Sequence, residues 1–144
     1  MENLSVKIKY IKDILPIEPC DVGDWIDLRA AEDVYMAAGD FKMIPLGVAM
    51  ELPKGYEALV APRSSTMRKY HIMLANSIGI IDESYKGEDD QWHFPAYAVR
   101  DTFIPKNDRI CQFRIIEHQP KIGFVQVVHL GNPNRGGLGS TGRR

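Results

Sequence analysis

Apolar residues recur along this chain in short runs, and most runs are closed by glycine or proline. Val6-Lys7-Ile8-Lys9-Tyr10 alternates apolar and polar positions, the pattern of a half-buried strand. Residues 46–52, 55–61, 78–82, 96–100, 109–116 and 124–130 have strand length and composition and are read the same way. Pro45, Pro53, Pro62, Pro95 and Pro105 fall near strand ends or on likely edges, where a missing N–H is tolerated. Only residues 64–70 look helical, with Ser64 or Ser65 available to cap the turn. Many short strands separated by turn signals predict an all-β fold, a barrel or double-sheet jelly roll with one short helix. With no repeat and no internal linker, residues 1–130 are expected to form one β domain. Residues 131–144 are read as a flexible C-terminal arm, rich in glycine and poor in groups that could bury surface.

Composition narrows the partners. Hydrophobic residues make up 44% and charged residues 26%, the balance of an ordinary globular protein. A net charge of −1 offers no general pull toward nucleic acid or an acidic membrane, so neither is expected as a partner and phosphate binding needs a local site. Cys20 and Cys111 lack any C-x-x-C spacing and are read as packed, reduced thiols of a cytoplasmic protein. No signal-like leader is visible, and no apolar run approaches the ~20 residues that span a bilayer.

Five segments carry candidate chemistry. In the arm, Arg135, Ser140 and Thr141 are spaced by glycines whose exposed N–H groups can cradle an anion, although such an end is more often a frayed terminus. Pro62-Arg63-Ser64-Ser65 sets a cation and two hydroxyls at a strand end before the helix, where the bland reading is a cap and a surface arginine. In Asn76 through Gly87, Asp82 shares strand parity with Ile78 and Ile80, which predicts a carboxylate near an apolar face and in need of a partner or a task. Glu83 is expected to be solvated, Gly79 and Gly87 to permit close backbone approach, and Tyr85 to offer a flat face. In residues 108–113, alternation puts Ile110 and Gln112 on one face and Arg109, Cys111 and Phe113 on the other. Gln112 must then find hydrogen bonds from protein or ligand. Asp27, within Asp27-Leu28-Arg29-Ala30, is either a solvated turn acid or a partner for the waters of a phosphate-bound Mg2+.

In order and content, these five segments resemble the five motifs of the trimeric dUTPases, of the phage or Gram-positive bacterial type, across residues 24 to 142. The resemblance implies a distorted jelly roll, a homotrimer with active sites shared between subunits, and hydrolysis of dUTP to dUMP and pyrophosphate with Mg2+ as cofactor. Carried over by position, Asp82 deprotonates the water that attacks the α-phosphorus. Asn76, with main-chain groups of Gly79 and Ile81, receives the uracil in a tight hairpin, and Tyr85 lies beneath the deoxyribose and bars a 2′-hydroxyl. Arg63, Ser64, Ser65 and Gln112 hold the phosphate chain, and Asp27 reaches Mg2+ through water. Arg135, Gly139, Ser140 and Thr141 close over the β- and γ-phosphates.

The chain departs from that pattern in three places. Leu138 stands where an aromatic lid over the base is usual, Trp25-Ile26 replaces a Gly-aromatic pair, and residues 88–94 are unlike the usual short link. Alternation before Pro95 sends Trp92 and Phe94 to one side, expected to be core, and His93 to the other, the candidate replacement lid. Two alternatives remain at this stage: a dCTP deaminase, bifunctional or not, and a non-catalytic nucleotide sensor on the same scaffold.

Overall fold

The structure is a computed structural model and describes residues 3–137 of the chain. Its described residues form eleven short strands and one helix: β1 (Lys7–Tyr10), β2 (Ile26–Arg29), β3 (Val34–Met36), β4 (Phe41–Pro45), β5 (Val48–Glu51), β6 (Tyr56–Pro62), α1 (Thr66–Tyr70), β7 (Ile72–Leu74), β8 (Gly79–Ile81), β9 (His93–Ala98), β10 (Thr102–Ile104) and β11 (Arg109–Glu117). The strands pair antiparallel in four small sheets, β1-β5, β10-β3, β2-β11-β6-β8 and β4-β9-β7. Their arrangement is the expected all-β, distorted jelly-roll fold. Among the described residues no helix is long and apolar enough to cross a membrane.

Alternation decides which side chains enter the core. On β9, Phe94, Ala96 and Ala98 point in while His93, Pro95 and Tyr97 point away, and on β6 Ala58 and Val60 are buried. Trp92 and Phe94 are fully buried among Leu28, Ile44, Leu46, Ile72 and Ile110, with Trp92 packed edge-on to Phe113 at 5.2 Å. Both are core residues, as alternation predicted.

Four local expectations change. On β11 the register with β2 slips between Arg109 and Cys111, so a bulge turns Ile110 inward and both Ile110 and Cys111 are buried. Strict alternation therefore fails at the start of this strand and resumes at Gln112. Residues 124–130 form no strand: every residue from 118 to 137 is exposed, with Phe124 at 96% and Val128 at 92%. Cys20 is exposed, while Cys111 is buried as expected, and burial drives its thiol pKa upward. Ser65 occupies the N-cap position of α1 but makes no side-chain cap bond. Thr66, 1% exposed, ties the turn before α1 instead: its hydroxyl accepts the Arg63 N–H at 2.7 Å and donates to the Ile110 carbonyl at 2.8 Å.

Candidate active site

Asp27, Arg63, Ser64, Ser65 and Gln112 form one group of sequence-predicted site residues and Ile81, Asp82, Tyr85 and His93 a second, at opposite ends of β6. The first lies where β2, β11 and the end of β6 meet. Asp27, Gln112 and Ala61 are cross-strand neighbours in one row, with Gln112 between the other two. Arg63 leaves β6 two residues later and places its Nε 3.1 Å from Asp27 Oδ1, while Arg109 Nη1 stands 3.9 Å from Asp27 Oδ2. A second Arg63 nitrogen, Nη1, donates to the Arg109 carbonyl at 3.2 Å, so the guanidinium is held on two sides. Gln112 Nε2 donates to the Pro62 carbonyl at 3.1 Å, which fixes the amide plane. Because Thr66 closes the turn, Ser64 stays exposed and Ser65 half-buried, both hydroxyls spared from capping. The five-residue α1 carries little macrodipole, so anion attraction here rests on Arg63 and the hydroxyls. Below α1, Tyr70 donates to Asp108 Oδ2 at 2.6 Å, and burial together with that carboxylate pushes the phenol pKa up. The helix is thereby tied to the turn that leads into β11.

The second group surrounds a cavity of about 320 Å³ on the outer face of β4 and β9, beside β8. Ile81, Asp82, Tyr85 and His93 line it together with Met43, Ile80 and Ser84. Asp82 shares a strand face with Ile80, as parity requires, but that face looks outward: Ile80 is 62% exposed and Asp82 is exposed too. Asp82 finds its partner locally. The Ser84 N–H donates to Asp82 Oδ2 at 2.9 Å and the Ser84 hydroxyl donates to the same oxygen. These bonds, the hydroxyl's first, hold the Asp82 carboxyl below the usual carboxylate range. Glu83 is not simply solvated, since its Oε1 accepts the Gly55 N–H at 2.6 Å and clamps the β5–β6 turn.

The unusual segment after Gly87 fixes Tyr85 and His93. The Gln91 carbonyl accepts the Tyr85 hydroxyl at 2.9 Å and lies 2.9 Å from His93 Nδ1, and the Gln91 side chain accepts the Gly47 N–H at 3.0 Å. A carbonyl can only accept, so Nδ1 carries the proton and a neutral His93 has its lone pair on Nε2. Gly87 donates its N–H to Asp90 Oδ2 at 2.8 Å, closing the turn that follows Tyr85.

The tight hairpin expected around Asn76 is a crossing instead. β7 pairs with β9 and β8 pairs with β6, so residues 75–78 carry the chain from one sheet to another through an exposed turn with Ser77 at φ 66°. Asn76 lies on that turn and Gly79 on β8, neither lining the cavity. Gly79 packs against Val60, whose Cβ would be 3.0 Å from an added methyl. Arg135 contacts only its neighbour Gly136, at 3.4 Å, among the described residues. Leu138, Gly139, Ser140 and Thr141 lie outside the described residues. Sequence reasoning missed Met43, Ser84 and Gln91, which no motif marks and which only strand register and turn geometry bring to the cavity.

The dUTPase family model matches residues 9–142 of this chain. The chain is 56% identical over 142 residues to the SPbeta prophage-derived deoxyuridine 5′-triphosphate nucleotidohydrolase of Bacillus subtilis, covering 98% of this chain and 100% of that one. It is 33% identical over 146 residues to the deoxyuridine 5′-triphosphate nucleotidohydrolase of Thermobifida fusca, covering 97% and 80%. Among solved structures it superposes on a mutant dUTPase of Staphylococcus bacteriophage 80alpha with dUpNHpp at a TM-score of 0.78 and 20% identity, covering 96% and 98%. A mutant dUTPase of phage phi11 of S. aureus, described with a coordinated structural Mg(II) ion, gives 0.75 and 17%, covering 88% and 98%.

Proposed function

The chain belongs to the dUTPase family and is a deoxyuridine 5′-triphosphate nucleotidohydrolase, and on that premise we propose that it splits dUTP to dUMP and pyrophosphate at sites assembled between three copies of the chain. The observation that carries the shared site is the register of β6. Ile81 pairs with Ala58, so Asp82 follows toward Glu57, whereas Gln112 pairs with Ala61 and Arg63 lies just beyond the strand. Six residues at ~3.3 Å each put the two groups about 20 Å apart within one chain. Reacting atoms must approach to about 3–3.5 Å. Asp82 therefore serves a phosphate held by the Arg63 group of another copy.

Surface chemistry supports such an assembly. The outer face of β4-β9-β7 presents Phe41, Met43, Met73 and Tyr97, all exposed, with Phe41 and Met73 both opposite Tyr97. The segment after β11 exposes Ile122, Phe124, Val125, Val128 and Leu130 as well. Contiguous apolar surface of this kind marks a protein interface. A closed threefold ring satisfies a heterologous contact of one group with the other without leaving free ends.

In the reaction, Asp82 takes a proton from water. The water oxygen bonds to the α-phosphorus as the bond to the bridging oxygen breaks, and pyrophosphate leaves. Arg63, Ser64, Ser65 and Gln112 hold the phosphates, and Arg135, Gly139, Ser140 and Thr141 close over the far end from a neighbouring copy. Asn76 and the main chain at Gly79 and Ile81 read the base. Tyr85, its hydroxyl anchored on Gln91, underlies the sugar, and His93 faces the base where Leu138 offers no ring.

The donor set fits a hydrated Mg2+. Asp27 Oδ1 is committed to Arg63, but Oδ2, only loosely met by Arg109, is free to accept from a metal-bound water. When bound, Mg2+ supplies charge neutralisation to the triphosphate. The test is turnover of dUTP, dTTP, UTP and dCTP with Mg2+. Selective release of pyrophosphate from dUTP is expected, and equal turnover of UTP or ammonia release from dCTP overturns the reading.

A further inference from the structure

Among the described residues Asp82 is the only carboxylate lining the 320 Å³ cavity, and the two oxygens of its carboxylate are not equivalent. Oδ2 receives both donors of Ser84, the main-chain N–H at 2.9 Å and the side-chain hydroxyl. Among the described residues Oδ1 has no hydrogen-bond donor. An ionised carboxylate only accepts, and each oxygen has two good acceptor directions. Ser84 fills both on one oxygen and leaves the other open.

We propose that Ser84 is a positioning residue that, by occupying Asp82 Oδ2 with both of its donors, dedicates Oδ1 to the attacking water. This rests on the reading of Asp82 as the general base. In the step, a water proton moves to Oδ1, the water oxygen bonds to phosphorus, the bond to the bridging oxygen breaks, and pyrophosphate departs. Ser84 keeps its two bonds to Oδ2 throughout and exchanges no proton. Its contribution is orientation, and it prevents the carboxylate from turning so that the occupied oxygen faces the water.

The geometry suits this role on two further counts. Ser84 lines the same cavity as Asp82, Tyr85 and His93, so its hydroxyl sits beside the chemistry. The turn that carries it is closed by Tyr85 N–H donating to the Asp82 carbonyl at 3.0 Å, so the N–H of Ser84 is held in place whatever side chain stands there. Removing the hydroxyl therefore leaves one donor and the turn intact. The lowering of the Asp82 carboxyl, with the Ser84 hydroxyl its largest cause, agrees in direction.

Other titrating groups face Asp82 and stay constant through the test. His118, at the start of the segment after β11, acts on Asp82 electrostatically and lies 3.8 Å from Glu83. Tyr85 stands on the same turn, and His93 enters from β9. A difference between the parent and a Ser84 variant therefore reports Ser84.

The sign follows directly. A base whose pKa is held down works at lower pH, so losing the hydroxyl moves the acid limb of kcat/KM upward. One charge-assisted hydrogen bond at an exposed site corresponds to about half to one pH unit. Ser84→Ala in the full-length oligomer should shift the limb by that amount, with about three- to tenfold lower kcat/KM at the acid end. Ser84→Thr, which restores a hydroxyl, should bring the limb back. A carboxyl ¹³C titration of Asp82 follows the same shift without turnover, so a variant of low activity still gives an answer. Equal loss at every pH with an unmoved Asp82 titration overturns the proposal and makes Ser84 merely structural. Asp82→Asn run beside it separates the two readings. If that variant retains near-parent turnover the base assignment itself fails, whereas an inactive Asp82→Asn with an unmoved Ser84→Ala limb defeats only Ser84.

Discussion

Two inactive chains should repair one another. Asp82→Asn removes the base and Arg63→Ala removes the cation of the phosphate group, yet the two residues stand about 20 Å apart along β6, six residues at ~3.3 Å each. If one site draws Asp82 from one copy and Arg63 from the next, a mixed oligomer contains sites in which both contributors are intact. For random mixing of equal amounts, each contributor is intact half the time, so about one quarter of the sites are whole in a closed ring. Each variant alone should be depressed by about 10²-fold or more, the usual contribution of a positioned base or of a charge on the transferring group. Once unmixed oligomers are removed, every mixed ring of three copies keeps one whole site, so a recovery to about a third of parental turnover is expected, well above background. The assay is pyrophosphate release from dUTP by hetero-oligomers carrying two affinity tags, isolated after co-expression so that both chains are present. Controls are each variant bearing both tags in separate chains. Recovery below a few per cent in doubly purified oligomers of normal size refutes the argument, because it would mean that both residues must come from one chain.

Other expectations follow from single contacts. Thr66→Val keeps volume but strands the Arg63 N–H and the Ile110 carbonyl in the interior, so denaturant unfolding at fixed protein concentration should show a loss of about 2–4 kcal/mol. His93→Ala should weaken binding of a non-hydrolysable dUTP analogue with little change in melting temperature, whereas Phe94→Ala should cost about 3–5 kcal/mol of stability, and equal behaviour of the two would remove His93 from the site. Truncation after Gly131 should leave oligomer size and melting unchanged while crippling turnover. Truncation after His118 also strips Phe124, Val125 and Val128 and should reduce the oligomer seen by light scattering, and a full-size oligomer in that variant would show that other surfaces suffice.

Local pattern carried far in this chain because local chemistry decides strands and turns. Alternation placed β1, apolar runs of strand length placed β5, β6, β8 and most of β11, and alternation before Pro95 sorted Trp92 and Phe94 from His93. Four of the five motifs contain side chains that the structure gathers into two groups, while Asn76, Gly79 and Arg135 stand apart from both. Short strands such as β3, β7 and β10, three residues each, escaped notice, since three residues hold too little alternation to be told from a loop.

What pattern cannot carry is pairing. That β7 joins β9 while β8 joins β6 is settled by contacts between residues far apart in the chain, and this turned the expected hairpin at Asn76 into a crossing between sheets. The same pairing put Asp82 and Arg63 at opposite ends of β6, which no spacing along the chain reveals. Residues 124–130 have the composition of a strand and remain exposed, because an apolar run states a need for burial without stating against what. The bulge at Ile110 and the bond from the Thr66 hydroxyl to the Ile110 carbonyl depend on residues far apart in the chain brought within about 3 Å, where hydrogen bonds form. Sequence by itself determined which residues have chemistry to offer and which faces seek burial. Tertiary structure alone decided which of them meet, because meeting is a property of distance and a one-dimensional pattern contains none.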